Sequence, residues 1–293
     1  MLGDTLKVHF AGSEQIDFAI VARKAGVKYF LYTCFPFIAK QFRLDAYPIT
    51  CKTLFPPNEI DKFATHAIMD SGIFTLIYGA MKGQKQTEAY MESYLDGMIQ
   101  FVLDNGIRST VVECDCQGML GADVAWRFRE KLGNAIPNQI MNVWHWPDGH
   151  KGLDRLIEYS GYISIVPHEL KELKGKTYLE DTYRLACYIK NRKPEIKIHL
   201  MGCTTAEVLR KCNFCTTADS TSWQAVNRYG RIQGNHVRCI RPEVKERCRQ
   251  AVIETLNDCS IEVTEKRIDY YSNYYMSAYL SKREYERLAG NQD

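Results

Sequence analysis

Acidic residues stand at the ends of several short apolar segments, where an enzyme built on parallel strands carries its chemistry. Asp70, Asp115 and Asp219 each end or follow a segment rich in apolar or β-branched residues, and His145 ends another. Catalytic groups of barrel enzymes lie at the carboxyl ends of the strands. A single Asp after a strand is more often a helix cap. Three that converge on one mouth predict a nucleophile, a base and a group that recognises the substrate.

The neighbours of these carboxylates suit a flat ligand. Asp70, Ser71 and Gly72 are consecutive, and a glycine lets the backbone approach a ligand closely. Phe74 offers a ring face on which a planar base can stack. The carboxylate of Asp115 can accept hydrogen bonds from the N1–H and exocyclic amine of a guanine-like edge. These residues predict contacts to a planar base.

The elements that must position these groups follow an alternating pattern. Amphipathic stretches of helical length separate many of the apolar segments, which implies βαβ units and a parallel sheet. Eight strands without a GxGxxG fingerprint favour the α/β class, as a (β/α)₈ TIM-like barrel, over a Rossmann sheet. The predicted strands lie at 7–11, 29–33, 67–70, 110–115, 139–145, 162–166, 196–201 and 213–219.

The chain changes character after the predicted barrel. We expect a catalytic barrel over 1–234 and a helical, tyrosine-rich extension over 235–293 that packs on it. The alternative for the extension is a dimer or nucleic-acid face, because tyrosine is enriched at interfaces. Its tyrosines include Tyr270, Tyr271, Tyr274, Tyr275, Tyr279 and Tyr285.

Composition indicates a soluble globular protein. Hydrophobic residues make up 45% and charged residues 25% of the chain, which excludes disordered and fibrous classes. No apolar run reaches the roughly 18 residues that a bilayer requires, and the start has no leader pattern. An odd count of 11 cysteines, in a chain of 293 residues that can bury its own core, favours reduced thiols. We therefore expect a cytoplasmic protein without a membrane partner.

Three motifs, in this order, resemble the tRNA-guanine transglycosylase superfamily. The segment DSG at 70–72, with Phe74 after it, is similar to the DSGGF/Y motif of that superfamily. The segment HLMG at 199–202 is similar to its methionine–glycine motif on the sixth strand. Asp219 falls where the superfamily has its nucleophilic aspartate. The order and spacing of these elements match over 7–234.

Within the superfamily the chain more closely resembles the DpdA-type DNA-guanine transglycosylases of phages and bacterial islands. The segments VHFAGS at 8–13, VWHW at 143–146 and DSTSW at 219–223 are similar to theirs. The resemblance implies exchange of guanine in DNA for a free 7-deazaguanine, such as 7-cyano-7-deazaguanine, which protects DNA from restriction. The implied partners are DNA, the free base and, by analogy, a second copy of the chain. A phage-encoded enzyme would act in the host cytoplasm.

The resemblance also implies a role for each candidate residue. Asp219 attacks C1′, expels guanine and forms a covalent glycosyl-enzyme, and Asp70 is the general base for the incoming base. The base must leave the duplex stack, and the exchange requires no cofactor because the energy of the glycosidic bond is retained. The implied substrate-binding residues are Ser71, Gly72, Phe74, Asp115, His145, Met201 and Gly202.

The chain departs from the tRNA enzymes in its candidate zinc ligands. The CxCxxC motif of those enzymes is missing after Asp219. His236, Cys239, Cys248 and Cys259 have the right donor types for Zn²⁺, but their spacing is irregular. We therefore interpret these cysteines as ordinary thiols and keep a zinc site as the weaker alternative.

A basic segment follows the predicted nucleophile. Positions 228–249 hold seven Lys or Arg and two Asp or Glu. Arg228, Arg231, Arg238 and Arg241 are therefore candidates for phosphate contacts, which need positive charge near the reacting sugar. The alternative is a solvated helix face with ordinary charge pairing.

Three other functions are compatible with the sequence. One is the same base exchange on tRNA, against which the missing zinc motif argues. Another is a catalytically silent barrel that binds nucleic acid, against which the presence of both Asp70 and Asp219 argues. The third is a barrel hydrolase that uses paired carboxylates on another nucleoside or sugar.

Overall fold

Eight parallel strands close into a barrel in sequence order, which confirms the predicted (β/α)₈ fold. The structure is a computed structural model, and it describes residues 5–42, 57–232, 235–236 and 242–290. Each predicted segment overlaps one strand. The strands are β1 (Lys7–Ala11), β2 (Tyr29–Thr33), β3 (His66–Asp70), β4 (Thr110–Val112), β5 (Ile140–Trp144), β6 (Tyr162–Ile165), β7 (Lys197–Leu200) and β8 (Thr217–Ser220).

Helices cover the outside of the barrel. Those of the barrel are α1 (Ile16–Lys24), α2 (Phe35–Ile38), α3 (Pro57–Phe63), α4 (Ile73–Thr75), α5 (Glu88–Asp104), α6 (Gln117–Leu120), α7 (Ala122–Ala135), α8 (Gly149–Tyr159), α9 (Pro167–Lys174), α10 (Tyr178–Arg192) and α11 (Ala206–Lys211). After β8 come α12 (Val226–Tyr229), an antiparallel pair of β9 (Arg231–Ile232) with β10 (Asn235–His236), α13 (Pro242–Asp258) and α14 (Glu265–Leu288).

The strands of the barrel are buried on both faces and mostly apolar. Ile68, Val112, Met141, Val143 and Tyr162 form one buried cluster inside it, apart from the larger cluster between strands and helices. Strands buried on both faces read as nearly continuous apolar runs. This is why all eight strands are recognisable in the sequence.

The tyrosine-rich helix α14 packs on the barrel. The Tyr271 hydroxyl donates to Asp17 Oδ2 on α1 at 2.6 Å, and Ser277 Oγ donates to the Trp223 carbonyl at 2.7 Å. Tyr274 and Tyr285 are buried as well, so these aromatic side chains of the helix are part of the hydrophobic core. In the part of the chain that the structure describes, no helix has the length and apolar character to cross a membrane.

A buried ion pair ties α7 to β4 and β5 below the mouth. Arg129 Nε donates to Glu113 Oε2 at 2.7 Å, and its Nη2 donates to Glu113 Oε1 at 2.9 Å and to the Val143 carbonyl at 2.8 Å. Asn142 Nδ2 and the Val143 amide also donate to the Glu113 carboxylate. Both charged side chains are almost fully buried, so the network replaces water around each of them.

Candidate active site at the barrel mouth

The structure places the predicted site residues at one end of the barrel. Asp70 is the last residue of β3, Asp219 lies near the end of β8, and His145 directly follows β5. Asp115 follows β4, and Met201 follows β7. Because all eight strands are parallel, these carboxyl ends share one mouth.

Asp219 is held from one side. Its Oδ1 accepts the Gly202 amide at 2.6 Å and lies 3.0 Å from His199 Nε2. Gly202 takes a φ of +62°, a left-handed conformation that favours glycine and that turns its amide back toward β8. Both contacts fix Oδ1 of a residue that is 8% exposed. Asp219 therefore has one anchored oxygen and a second, Oδ2, to which the described residues make no hydrogen bond.

Asp70 lies in an environment that favours its neutral form. Burial raises the pKa of Asp70 to about 6, the Gly72 amide lowers it, and the charges of Asp219 and Asp115 raise it. The Gly72 amide donates to Asp70 Oδ1 at 2.7 Å. A Cβ on Gly72 would lie 2.5 Å from Phe35 Cβ, and its φ is +75°, so only glycine fits there. Asp70 can therefore hold or release a proton near neutral pH.

We expect Asp70→Asn to stabilise the protein in a pH-dependent way. The folded-state pKa lies above the ordinary value of 3.8, so ionising Asp70 weakens the folded state as the pH rises from about 4 to about 6. Asn removes that penalty and still accepts the Gly72 amide. The variant should gain about 0.5–2 kcal/mol at pH 8 and nothing at pH 3.5, as measured by urea unfolding. An equal gain at both pH values would contradict this origin.

His145 is clamped between two carboxylates. Its Nε2 lies 2.8 Å from Asp115 Oδ1 and its Nδ1 lies 3.5 Å from Glu169 Oε1. Burial lowers the pKa of His145, but the hydrogen bonds and charges of Asp115 and Glu169 outweigh it and raise the pKa to about 10. His145 is therefore an imidazolium at neutral pH. Both of its ring nitrogens contact carboxylates, and Oδ2 of Asp115 is left to bind a ligand.

This clamp should contribute stability that disappears at high pH. The folded-state pKa of His145 exceeds its ordinary 6.5, so the contribution is complete below pH 6.5 and is lost as the pH rises through about 10. His145→Gln should therefore cost about 1.5–3 kcal/mol at pH 6, the range for hydrogen bonds to charged groups. Urea unfolding at pH 6 and pH 10 measures the difference. His168→Gln, at a histidine that is mostly exposed, is the matched control.

Two further carboxyl groups lie at the mouth that were not predicted from the sequence. Glu14, between β1 and α1, accepts the Thr33 amide at 3.4 Å, and burial raises its pKa to about 7. The charge of Asp70 raises the pKa of Glu14 further. Glu169 lies in the first turn of α9 and also accepts the Trp146 amide. Each residue follows a barrel strand by a few positions. The sequence signal for both is therefore an acidic residue in the first few positions after a strand, and not only at its end.

The predicted stacking residues have different partners. Phe74 is 74% exposed and lies beside Tyr78, with 4.8 Å between ring centroids. Met201 instead packs against the apolar cluster inside the barrel. Ser71 is buried, and its carbonyl accepts hydrogen bonds from the Tyr94 hydroxyl and the Cys34 thiol. Ser71 therefore shapes the loop, and Phe74 presents an aromatic face to solvent.

The predicted basic and zinc residues lie largely outside the described residues. Arg238, Arg241 and Cys239 fall outside them entirely. Arg228, Arg231 and His236 are placed by backbone in α12, β9 and β10, and their side chains are not described. Cys248 is buried in α13, and Cys259 follows that helix. Within the described ranges, no group of three or more His, Cys, Asp or Glu could hold a metal ion.

Comparisons with known proteins identify no family for this chain. No family model matches the chain, and no curated protein matches it. Solved structures that match include the flavin-binding domain of baker's yeast flavocytochrome b2, with a TM-score of 0.42, 11% identity, and coverage of 78% of this chain and 59% of that chain. A flavocytochrome b2 mutant with benzoylformate gives 0.40, 10%, 78% and 60%. A double mutant with sulfite bound gives 0.42, 12%, 96% and 65%. The chain covers less than two thirds of the length of each of these neighbours.

The comparisons give no support to the activity predicted from the sequence. They return flavin-binding barrels where the motifs predict a DNA-guanine transglycosylase or its tRNA counterpart. We therefore withdraw the base exchange, the DNA-modification role and the evasion of restriction. The prediction that no cofactor is required, with zinc as the alternative, is withdrawn on the same finding. The prediction of an enzyme is kept in its coarser form, without the pentosyltransferase class. The family resemblance and the partners, DNA, free base and second copy, stay untested predictions.

The strand ends of this barrel carry mainly acidic side chains. A phosphate needs free backbone amides or cationic side chains. At the strand ends, His145 lies between the carboxylates of Asp115 and Glu169. The Gly202 and Gly72 amides donate to Asp219 and Asp70. These four groups therefore offer a phosphate little positive charge and no free amide.

Proposed function

We propose that this barrel is an enzyme, a hydrolase that cleaves a glycosidic bond in a nucleoside or sugar with two carboxyl groups. The observation that carries the proposal is the contrast between Asp70 and Asp219 within one mouth. Burial raises the pKa of Asp70, whereas the Gly202 amide and His199 anchor Oδ1 of Asp219 in one orientation. Two carboxyl groups whose environments differ in this way are the usual acid and base of glycoside hydrolysis.

Asp219 is suited to act at the anomeric carbon. The Gly202 amide and His199 anchor Oδ1, so the carboxylate keeps one orientation and presents Oδ2. A fixed carboxylate can stabilise or capture a developing oxocarbenium ion, or it can activate a water molecule on the same face. Anchoring before the reaction reduces the ordering that the transition state requires.

Asp70 is suited to supply the proton. A carboxyl group with a pKa of about 6 is partly protonated near neutral pH, so it can donate to the leaving group and later accept a proton from water. The negative charges of Asp219 and Asp115 contribute to this state. If Asp219 became neutral in a covalent intermediate, the pKa of Asp70 would fall, and Asp70 would become a better base for the second step.

The free acceptors define the substrate class. Asp70, Asp115 and Asp219 each use Oδ1 for a protein hydrogen bond and leave Oδ2 without one among the described residues. Oδ2 of Asp115 and Oδ2 of Asp219 can accept hydrogen bonds, and Oδ2 of Asp70 donates when Asp70 is neutral, so the mouth favours a substrate rich in hydroxyl or amino groups. The same negative charges repel phosphates. We therefore propose a neutral, hydroxyl-rich glycoside or nucleoside as substrate.

The test is hydrolysis of defined glycosides by the purified full chain. The probes are 4-nitrophenyl β-D-riboside, other nitrophenyl glycosides and unmodified nucleosides, and the readout is release of nitrophenol or free base. We expect release that depends on both Asp70 and Asp219, with a bell-shaped pH profile. Asp123→Asn, at an exposed residue of α7, is the matched control. No release from any probe, or the visible absorbance of a bound flavin in the purified protein, would overturn the proposal.

A further inference from the structure

A buried hydrogen-bond chain reaches Asp219 from inside the barrel. Tyr162 on β6 bonds to Thr217 Oγ1 on β8, and Thr217 Oγ1 lies 2.7 Å from His199 Nδ1 on β7. His199 Nε2 lies 3.0 Å from Asp219 Oδ1. Tyr162 and His199 are fully buried and Thr217 is 2% exposed, so bulk water does not compete for these groups.

The hydrogens of this chain run in one direction. Asp219 Oδ1 accepts the Gly202 amide at 2.6 Å, which makes it an acceptor for His199 as well. In a neutral ring, His199 Nε2 then carries the single hydrogen, and Nδ1 is left as an acceptor. The single hydroxyl hydrogen of Thr217 goes to Nδ1, so the Tyr162 hydroxyl donates to Thr217 Oγ1. Every donor in the chain then has one acceptor.

We propose that His199 is a positioning residue, held by Thr217 and Tyr162 as the neutral Nε2–H tautomer, which fixes Asp219 with Oδ2 toward the substrate. The effect on catalysis rests on the proposed function, whereas the tautomer and the geometry do not. A histidine whose second nitrogen is held by a hydrogen bond keeps one tautomer and one ring orientation. The sequence segment at 199–202 thus supplies both donors to Asp219, His199 and the Gly202 amide.

The first arm of the test is ¹⁵N NMR of the histidine side chains in the full-length protein. We expect the His199 resonance pair of a neutral ring with hydrogen on Nε2. Thr217→Val keeps the shape and removes the hydroxyl, so it should shift His199 toward a mixture of tautomers. His199→Gln assigns the signal, and His168→Gln at an exposed position is the control. A wild-type His199 that is an imidazolium or the Nδ1–H tautomer would overturn the proposal.

The second arm is kinetic and uses 4-nitrophenyl β-D-riboside. His199→Leu removes the donor and should lower kcat about 10- to 100-fold with little change in KM, the usual size of an effect that acts through a neighbouring group. His199→Gln places an amide donor near the position of Nε2 and should recover part of kcat. Equal kcat in the Leu variant and the wild type would overturn the positioning role. The spectra are read without substrate, so they decide the tautomer even if the wild-type protein leaves the riboside intact.

Discussion

Replacing Asp219 with Asn should lower kcat for glycoside hydrolysis on the order of 10⁴-fold, the scale seen when a carboxylate of a catalytic unit is removed. Asn keeps the size of the side chain and its Oδ1 can still accept the Gly202 amide and His199. It lacks the negative charge and the nucleophilic oxygen at the Oδ2 position. The loss corresponds to about 5.4 kcal/mol of transition-state stabilisation at 1.36 kcal/mol per tenfold.

The expected signature is a loss in kcat with little change in KM, because Oδ2 acts on charge that develops during the reaction. Single-turnover and steady-state rates with 4-nitrophenyl β-D-riboside measure both quantities. Asp123→Asn should retain the wild-type rate, since its exposed side chain lies on α7. If Asp219→Asn kept more than about a tenth of kcat, Asp219 would not be the group at the anomeric carbon.

Replacing Arg129 with Met should destabilise the protein by about 3–5 kcal/mol, because it leaves a buried carboxylate without its counter-ion. Arg129 makes two hydrogen bonds to Glu113 and one to the Val143 carbonyl, and both charged side chains are nearly inaccessible. The remaining donors to Glu113, Asn142 and the Val143 amide, are neutral and cannot balance its charge.

The double variant Glu113→Gln with Arg129→Met tests that explanation. It removes both charges and keeps an acceptor for Asn142, so it should recover much of the lost stability. Chemical unfolding of the wild type and the variants measures each free energy, and a double-mutant cycle separates the pair from its surroundings. A double variant as unstable as Arg129→Met alone would show that lost packing, and not the unpaired charge, causes the effect.

The barrel can be predicted from the sequence. Parallel strands that are covered on both faces must be apolar nearly throughout, and the amphipathic helices between them repeat with a different period. The eight segments therefore overlap the eight strands. The strand ends then place Asp70 and Asp219 at one mouth, because parallel strands present their carboxyl ends together. No comparison supports the activity inferred from short motifs, because a few residues in the right order define a site but not a reaction.

The sequence by itself determined the barrel and the presence of Asp70, Asp115, His145 and Asp219 at its mouth. Only the tertiary structure decided what each of them can do. Hydrogen bonds and burial determine the protonation and orientation of a carboxyl group, and the residues that form these bonds lie far apart in the chain. His145 contacts Asp115 from the neighbouring strand, and His199 on β7 contacts Asp219 on β8. The alternation of residues along a strand indicates which side chains point into the barrel. It does not indicate which of those side chains contact each other, because such contacts depend on the register of the closed barrel.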